Sequence, residues 1–466
     1  MISYIFKVLR YFRPVFSHYS TWLKFCLIVL GFIGASEMIG VTSFCRFFGL
    51  DEKGYYNLIN FFRLSGWSLT ALSTYWMIFV FSQNLIIKVN GRAVLLGDHT
   101  YVPKDGRKMP GVVTLRQNSE TQSKPSYFKG HCWGIIGVLI GNMTAPFCLP
   151  LLSGLHQGFV HIGGESQNKE NRQTLGTRIL QMAIDIAVSN NQPSILVLDA
   201  FFPSGIIFKL ANSIWSIALK QPYVHLITRA KKSYTGYLQP SNMKSKRGRP
   251  AKYGDKVKLM EVFDQLHLFS KKKCFVYGKL EEVKIMSADL LWKPAGCLIR
   301  FVFAKTSKGS IVLMCSDLTI NPLTALELYC SRIRIECMLD MFKNVINGFC
   351  YRFWSKKMPK ESRKPTKNKK LSSPKFENIS TIKRCWDGCE RFVFLAIISL
   401  GLLQIIALKY SELIWEKYEG FIRTRSREIP SERTVKSVIS NLLVINYRSF
   451  APNGILGKIR KIYLRE

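Results

Sequence analysis

Apolar residues recur at helical spacing through residues 1–90, which predicts a helical N-terminal region. Glycines interrupt the pattern, and residues 36–67 have room for short helices in a helix-turn-helix arrangement. Many other small helical domains fit the same loose pattern.

Residues 91–228 change to short apolar runs bounded by turns, which are typical of buried strands. Strand pairs followed by helix, strand, helix and strand predict an α/β fold with a mixed sheet. The predicted elements are the strands RAVLLGD (92–98), HCWGIIGVLIG (131–141) and APFCLPLL (145–152), a helix over about 169–189, the strand SILVLD (194–199), a helix from about 204 and the strand YVHLITRA.

Residues 229–320 combine positive charge with a second set of strands. Ten Lys or Arg stand against one Asp between residues 229 and 258. The runs that follow, from CFVYGKL to SIVLMCSDL, alternate like antiparallel strands. We therefore predict a basic, β-rich insertion.

Helical spacing returns at residues 321–350, where Asn321 followed by Pro322 is typical of a helix start. Residues 351–384 carry twelve Lys or Arg against two Glu in a Ser- and Pro-rich stretch, which predicts a flexible basic loop. We predict that the C-terminal region, residues 385–466, is helical and packs back on the core.

Within YCSRIRIECMLDMFK (329–343), several polar residues share one helical face. At about 100° per residue, four of them fall within an arc of about 60°. They are Tyr329, Arg332, Glu336 and Lys343. Asp340 lies on the same face. An ordinary surface helix with an i,i+4 pair between Arg332 and Glu336 also explains this pattern, and the spacing alone does not decide.

The composition points to an acidic partner. The chain has 466 residues, of which 47% are hydrophobic and 21% charged, so it can form two or three domains. Its formal net charge is +37. Such an excess indicates nucleic acid or an anionic membrane surface as the partner.

Two apolar runs raise the membrane alternative. Between Lys24 and Glu37 lie 12 uncharged residues, and between Arg391 and Lys409 lie 17. Because a spanning helix needs about 20, we interpret both runs as buried helices. A membrane anchor at the second run stays as a rival hypothesis. The 12 cysteines form no CxxC pair, which favours reduced thiols in a cytoplasmic protein.

Three carboxylates stand out by position: Asp98 and Asp199 end predicted strands, and Glu336 lies on the later helix. Carboxylates that converge from separate elements suit Mg²⁺, and two such ions can drive an in-line phosphoryl displacement. The two aspartates can equally be strand-end caps or turn residues. His99 beside Asp98 is incidental on this hypothesis, since Mg²⁺ disfavours imidazole.

The residues of the polar face match a known signature. Their types and spacing resemble the Y-x2-R-x3-E-x6-K signature of bacterial insertion-sequence transposases of the DDE type. Asp98 in GDHT and Asp199 in VLDAFF precede Glu336 in the expected order. The resemblance covers about residues 20–415, with motif-level support only at the three acidic segments.

The resemblance implies an α/β, ribonuclease-H-like mixed sheet core with a β-rich insertion and helical N- and C-terminal regions. It implies that Asp98, Asp199 and Glu336 bind two Mg²⁺ ions, or Mn²⁺ as a substitute, for DNA strand cleavage and strand transfer. The partner would be double-stranded DNA, both transposon ends and target. A homodimer in the DNA complex and a cytoplasmic, nucleoid-associated location are expected with it.

The resemblance also assigns DNA contacts. Tyr329, Arg332 and Lys343 would grip phosphates near the scissile bond, for which hydroxyl, guanidinium and ammonium groups are suited. Residues 1–90 and the insertion would bind the terminal repeats. The catalytically silent, transposase-derived DNA-binding regulator is the alternative.

Two further DNA contacts are candidates in the insertion. Trp292 is either a tryptophan that stacks on a flipped base or an ordinary core tryptophan. Arg247 and Arg249, in KRGRPAKYG, belong either to an extended unit that enters an A·T-rich minor groove or to a plain charged loop on phosphates.

Overall fold

The structure is a computed structural model that describes residues 1–64, 66–116, 126–156, 174–240, 251–364, 376–421 and 427–449, with residues 455 and 457. Its helices are α1 (Ile2–Tyr11), α2 (Tyr19–Gly34), α3 (Val41–Phe48), α4 (Glu52–Arg63), α5 (Leu69–Phe81), α6 (Leu175–Ser189), α7 (Gly205–Ser213), α8 (Pro322–Ser331), α9 (Ile333–Asn344), α10 (Ile379–Lys409), α11 (Ser411–Glu416) and α12 (Glu432–Ser449). Its strands are β1 (Lys88–Val89), β2 (Arg92–Pro103), β3 (Val113–Arg116), β4 (Tyr127–Ile140), β5 (Phe147–Leu155), β6 (Ser194–Val197), β7 (Trp215–Ser216), β8 (Gln221–Pro222), β9 (Val224–Arg229), β10 (Thr235–Tyr237), β11 (Lys256–Lys258), β12 (Ser270–Val276), β13 (Lys279–Trp292), β14 (Cys297–Thr306) and β15 (Gly309–Cys315).

Within the described residues, one sheet of 13 strands dominates the fold. Its main path is β11-β10-β13-β14-β15-β9-β6-β2-β4-β3, with β1, β12 and β5 paired at its sides. Helices precede and follow it along the chain. The fold is therefore mixed α/β with helical ends, which confirms the predicted class.

The centre of the sheet runs in the order β5-β4-β2-β6-β9. Strands β2, β4 and β5 pair antiparallel with one another in sequence, whereas β6 pairs parallel to both β2 and β9. Parallel pairing needs a crossover connection, and α6 and α7 provide the two crossovers. Helix α6 covers β2, β4 and β6, so this part of the sheet is packed against helix rather than exposed.

The predicted insertion forms antiparallel strands, as its alternating pattern indicated, but it continues the central sheet. Strands β12 to β15 pair in sequence, and β15 then pairs with β9. The register joins Met314 to Thr228. The insertion strands and the central strands therefore share one hydrogen-bonded sheet.

Helix α10 lies in the interior. Among the described helices it is the one long and apolar enough to cross a membrane, and 89% of its most apolar window is buried inside the fold. It packs on β5, α2 and α4. Gly401 permits a close approach of α10 to α5 as well, since a Cβ there would lie 2.4 Å from the Trp76 ring. The interpretation of this run as a buried helix is confirmed.

The polar-face helix is interrupted. Helix α8 begins as predicted, with the Asn321 side chain accepting a hydrogen bond from the Leu323 amide at 2.9 Å. It ends at Ser331, and α9 starts at Ile333. Arg332 joins them with helical backbone angles and tight i,i+3 hydrogen bonds on both sides. The prediction of one continuous helix was wrong, because a single tight turn at Arg332 separates α8 from α9.

Two other boundaries differ in detail. Helix α6 starts at Leu175 behind a Thr174 capping box, whereas the predicted start at about 169 lies outside the described residues. Helices α3 and α4 occupy the stretch predicted to hold short helices, and Gly49 takes φ 66° at the end of α3. A left-handed residue there suits glycine, which has no Cβ to clash.

Candidate active site

Asp98 lies in the middle of β2, not at its end. The prediction that the strand stops there was wrong, because β2 keeps pairing with β4 as far as Pro103 opposite Gly130. The parallel pairing with β6 does stop, at Leu96 opposite Val197. Asp98 therefore stands two residues beyond the point where β2 loses one neighbour, and its side chain is 20% exposed.

Asp199 follows β6 and occupies the matching position. It too lies two residues beyond the last pair, so the parallel register brings it beside Asp98. Its Oδ1 accepts a hydrogen bond from the Phe201 amide at 2.8 Å, and its carbonyl accepts one from Thr228 Oγ1 at 2.7 Å. The turn after β6 is thereby fixed with the carboxylate at the sheet edge.

Glu336 is linked to Asp98 through an arginine. Arg332 Nη2 lies 2.5 Å from Glu336 Oε1, and Arg332 Nη1 lies 3.5 Å from Asp98 Oδ2. The ordinary i,i+4 pair is therefore present, and the same guanidinium also faces a central strand. We call Asp98, Asp199, Arg332 and Glu336 the carboxylate cluster.

The cluster raises the pKa of its most enclosed acid. Burial, together with the charges of Asp199 and Glu336, raises the pKa of Asp98 to about 6, while the His99 amide and Arg332 act in the opposite direction. For Arg332, burial lowers the pKa, but Glu336 and Asp98 outweigh it and the net shift is upward. Like charges held together in this way favour a cation between them.

Tyr329 belongs to the same surroundings. It is 6% exposed, and burial raises the pKa of its phenol, while Arg332 and Arg229 act to lower it. Asp199 also acts on this pKa, which places the phenol near the cluster. Three residues of the signature, all within residues 329–336, therefore lie near two aspartates that come from distant parts of the chain.

Lys343 lies apart from the carboxylate cluster. It is exposed near the end of α9 and lines a cleft with Tyr101 and Lys104. Asp340 is exposed as well, and its Oδ1 accepts a hydrogen bond from Asn344 at 2.6 Å. The fourth member of the signature therefore shares the helix with Glu336 but faces a different cavity.

Trp292 is 3% exposed and packs between Phe208 and Tyr234, with ring centroids 5.5 and 5.4 Å away. The structure corrects its candidacy as a base-stacking residue: the ring is enclosed in the core and offers no face to a base in this conformation. Arg247 and Arg249 lie outside the described residues.

Sequence reasoning missed a histidine pair beside Asp98. His99 Nε2 and His156 Nδ1 lie 2.9 Å apart, and Phe202 stacks on the His99 ring. Burial, with Arg178 acting in the same direction, lowers the pKa of His99 to about 4, so this imidazole is neutral at neutral pH. No sequence signal joins residues from such separate segments.

Arg229 was missed too, although it closes the predicted strand YVHLITRA at the same edge as Asp199. That position at a strand end was the available signal. Arg229 adds a second guanidinium to the surroundings of Tyr329.

The carboxylate cluster fits a divalent ion in chemistry and only partly in arrangement. Carboxylate oxygens are the ligands that Mg²⁺ prefers, and the repulsion around Asp98 is what a cation relieves. Yet no three His, Cys, Asp or Glu side chains in the described part of the chain are grouped closely enough to hold a metal ion. Arg332 stands between Glu336 and Asp98, so a three-carboxylate site requires this guanidinium to move.

Comparison with known proteins leaves the family open. No family model matches this sequence, and no curated protein matches it. Among solved structures the chain is similar to the crystal structure of the NurA nuclease from Sulfolobus solfataricus, at 8% identity and a TM-score of 0.22, over 64% of this chain and 91% of that one. At this TM-score the likeness carries no argument about fold or function.

Proposed function

We propose that this protein is a DNA transposase of the DDE type, which cleaves and joins DNA strands at transposon ends. One observation carries the proposal: Arg332 of the signature pairs with both Glu336 and Asp98, while Asp199 lies beside Asp98. Residues that the signature selects by spacing thus converge with two aspartates selected by their place in the sheet.

The order of the central strands supports the proposal. The described strands run β5-β4-β2-β6-β9, three antiparallel strands followed by two parallel ones, which is the order that the proposed ribonuclease-H-like core predicts. In such a core the first and fourth strands lie side by side. Here those strands are β2 and β6, which carry or precede the two aspartates.

Each residue of the cluster has a role in this proposal. Asp98, Asp199 and Glu336 would hold Mg²⁺, which supplies activation of a water or 3′-hydroxyl and stabilises the leaving oxygen. Arg332 and Tyr329 would bind a phosphate beside them. When a phosphate takes over the Arg332 guanidinium, Glu336 is released from its ion pair. Substrate binding and completion of the carboxylate set are therefore coupled.

Replacing Glu336 by Gln tests the proposal. The variant keeps the size of the side chain but removes a charged ligand, so we expect Mg²⁺-dependent nicking of a transposon-end duplex to fall at least about 100-fold. Binding of that duplex, measured without Mg²⁺, should be kept or tightened, because Glu336 contributes no positive charge and its replacement frees Arg332 for a phosphate. The duplex is to be taken from inverted repeats on either side of the coding region, and the absence of such repeats would count against the proposal.

Asp340→Asn is the matched control. It removes one carboxylate from an exposed position on the same helix and leaves the carboxylate cluster intact. Its cleavage rate should equal that of the unmodified chain. Cleavage that survives Glu336→Gln, or that falls equally in both variants, would refute the assignment of Glu336.

The silent regulator remains the second candidate, because it is also compatible with the position of Arg332. A guanidinium between Glu336 and Asp98 also describes a protein that keeps the acids as an ion-pair network and no longer cuts. A strand-transfer assay with Mg²⁺ or Mn²⁺ separates the two, since the regulator binds DNA and produces no joined strand.

A further inference from the structure

A large cleft lies at the end of β2 and the end of α9, with a cavity volume of about 1370 Å³. The end of β2, the loop after it, the end of α9 and residues 349–363 line it. We call it the basic groove and define it by Lys104, Arg107, Lys343, Arg352, Trp354 and Arg363. These residues come from three different regions of the sequence, residues 91–228, 321–350 and 351–384.

The basic groove is strongly positive. Seven of its described lining residues are Lys or Arg, against one acid, Asp105. Charge of one sign concentrated in a cleft attracts polyanions, because the walls exclude water and the field is focused. This excess of positive over negative side chains is larger than contact with solvent requires, and it indicates an occupant that carries phosphates.

Hydrogen bonds hold the two walls together. The Ser355 amide donates to the Lys108 carbonyl at 3.1 Å, and the Glu361 amide donates to the Arg107 carbonyl at 2.8 Å. Lys104 Nζ donates to the Phe349 carbonyl at 2.6 Å, beneath them. Lys104 is itself buried, at 9% exposure, and braces the two walls. The exposed cations of the basic groove therefore lie on a preformed surface rather than on free loops.

Trp354 gives the basic groove an aromatic face. Its side chain is 49% exposed, although tryptophan is usually covered. It also borders a neighbouring cleft of about 800 Å³, which shares Arg352 with the basic groove. An exposed indole between arginines is suited to stack on an unpaired base, since every base has a π-face.

The carboxylate cluster and the basic groove are joined by two rigid elements. Along β2, four residue steps separate Asp98 from Val102, a groove residue on the same face of the strand, about 13 Å at 3.3 Å per residue. Along α9, seven residue steps separate Glu336 from Lys343, about 10 Å at 1.5 Å per residue. The basic groove therefore begins about three to four base steps from the acids, at 3.4 Å per step.

We propose that the basic groove holds single-stranded DNA next to the cleavage site, with Trp354 stacked on one of its bases. The inference rests on the proposed function for the link to cleavage and extends it to the path of a strand. A duplex keeps its bases stacked on one another and offers Trp354 no free face. A strand freed at a cut end offers both phosphates and bases.

The test compares two probes without divalent metal. A fluorescein-labelled single strand of about 12 nucleotides and the duplex of the same sequence are titrated in EDTA, with anisotropy as the signal. We expect Trp354→Ala to weaken binding of the single strand about tenfold, the size of one lost stacking contact, and that of the duplex less than about twofold. Trp215→Ala should change neither, since Trp215 is 53% exposed and lies outside the basic groove.

Three results would overturn the proposal: no binding of the single strand, an unchanged affinity in Trp354→Ala, or equal losses on both probes. An RNA strand of the same sequence is the third probe, and tighter binding by about tenfold would replace DNA by RNA as the occupant.

A crosslinking experiment on the unmodified chain tests the same proposal without requiring that Trp354→Ala folds. A strand that carries 5-iododeoxyuridine should crosslink to Trp354 or Tyr101, and crosslinks wholly outside the basic groove would contradict the proposal. Because none of these measurements needs cleavage, a failed nicking assay would refute the proposed function and leave the binding result standing.

Discussion

Two arginines of this protein are withdrawn from solvent and are held by different kinds of partner. Arg391, on α10, is 8% exposed and donates to the main-chain carbonyls of Phe62, Leu64 and Trp67. It also lies over the Trp67 ring at 4.8 Å. Arg332 instead lies between two carboxylates, Asp98 and Glu336.

The pKa shifts of the two residues run in opposite directions. Burial lowers the pKa of Arg391, whereas for Arg332 burial is outweighed by Glu336 and Asp98 and the pKa rises. Main-chain carbonyls have no alternative partner inside the fold, but carboxylates can exchange a guanidinium for a metal ion. We therefore predict that the polar contacts of Arg391 in the helical interior are fixed and that those of the carboxylate cluster are exchangeable.

The largest expected effect is on stability, at Arg391. Arg391→Met keeps much of the side-chain volume but leaves three carbonyls near α4 without their donor. At about 1 kcal/mol for each lost bond, the free energy of unfolding should fall by about 3 kcal/mol. Urea titration of the purified variant measures this.

Arg384→Met is the control, because Arg384 is an exposed arginine on the same helix. Its expected change is within about 0.5 kcal/mol. If the two variants lose the same stability, Arg391 is not part of a fixed network, and the contrast with Arg332 fails.

The next largest effect is a pH dependence of stability at His131, another buried polar side chain. His131 is fully buried between Tyr351 Oη at 2.6 Å and the Pro110 carbonyl at 2.9 Å, and burial lowers its pKa to about 3, with Lys104 acting in the same direction. Between this pKa and the ordinary value near 6.5, the unfolded chain binds one more proton at this residue than the folded chain. The free energy of unfolding therefore falls as the pH falls through this window, by about 1.4 kcal/mol per pH unit for this residue.

His131→Gln should remove that contribution, so the slope of stability against pH between about 6 and 4 becomes shallower by about 1.4 kcal/mol per unit. His267→Gln, at an exposed histidine, should leave the slope as it is. Parallel slopes for all three proteins would mean that His131 takes up its proton without unfolding.

The sequence was a good guide where a pattern is local. The strand runs, the buried apolar helix and the Asn321 cap depend on neighbours within a few residues, and each is found as predicted. The end of β2 was misplaced because Asp98 is polar, while the pairing with β4 that carries the strand past it is a long-range contact.

The arrangement of the candidate site was less accessible. Spacing placed Arg332 and Glu336 on one face, but it could not show that Arg332 turns toward Asp98 or that Lys343 faces another cavity. Both depend on how α9 lies against β2. The basic groove was invisible for the same reason, since its cations are unremarkable until the fold brings the end of β2 against residues 349–363.

The smallest expected effect is the sharpest test of exchange, at Arg332. If the guanidinium and a metal ion compete for Asp98 and Glu336, Arg332→Gln should tighten Mg²⁺ binding about threefold to tenfold, at most about 1.4 kcal/mol. Stability should change by less than in Arg391→Met, since the Glu336 partner is 44% exposed and is solvated in the variant. Arg334→Gln, two residues further along the chain in α9, removes an equal charge and should leave Mg²⁺ binding nearly unchanged. Calorimetric titration with MgCl₂ measures both variants. Weaker Mg²⁺ binding in Arg332→Gln would contradict the exchange. It would mean that Arg332 holds the carboxylates in place for the ion, and that Arg332 and Arg391 are both fixed and differ only in their partners.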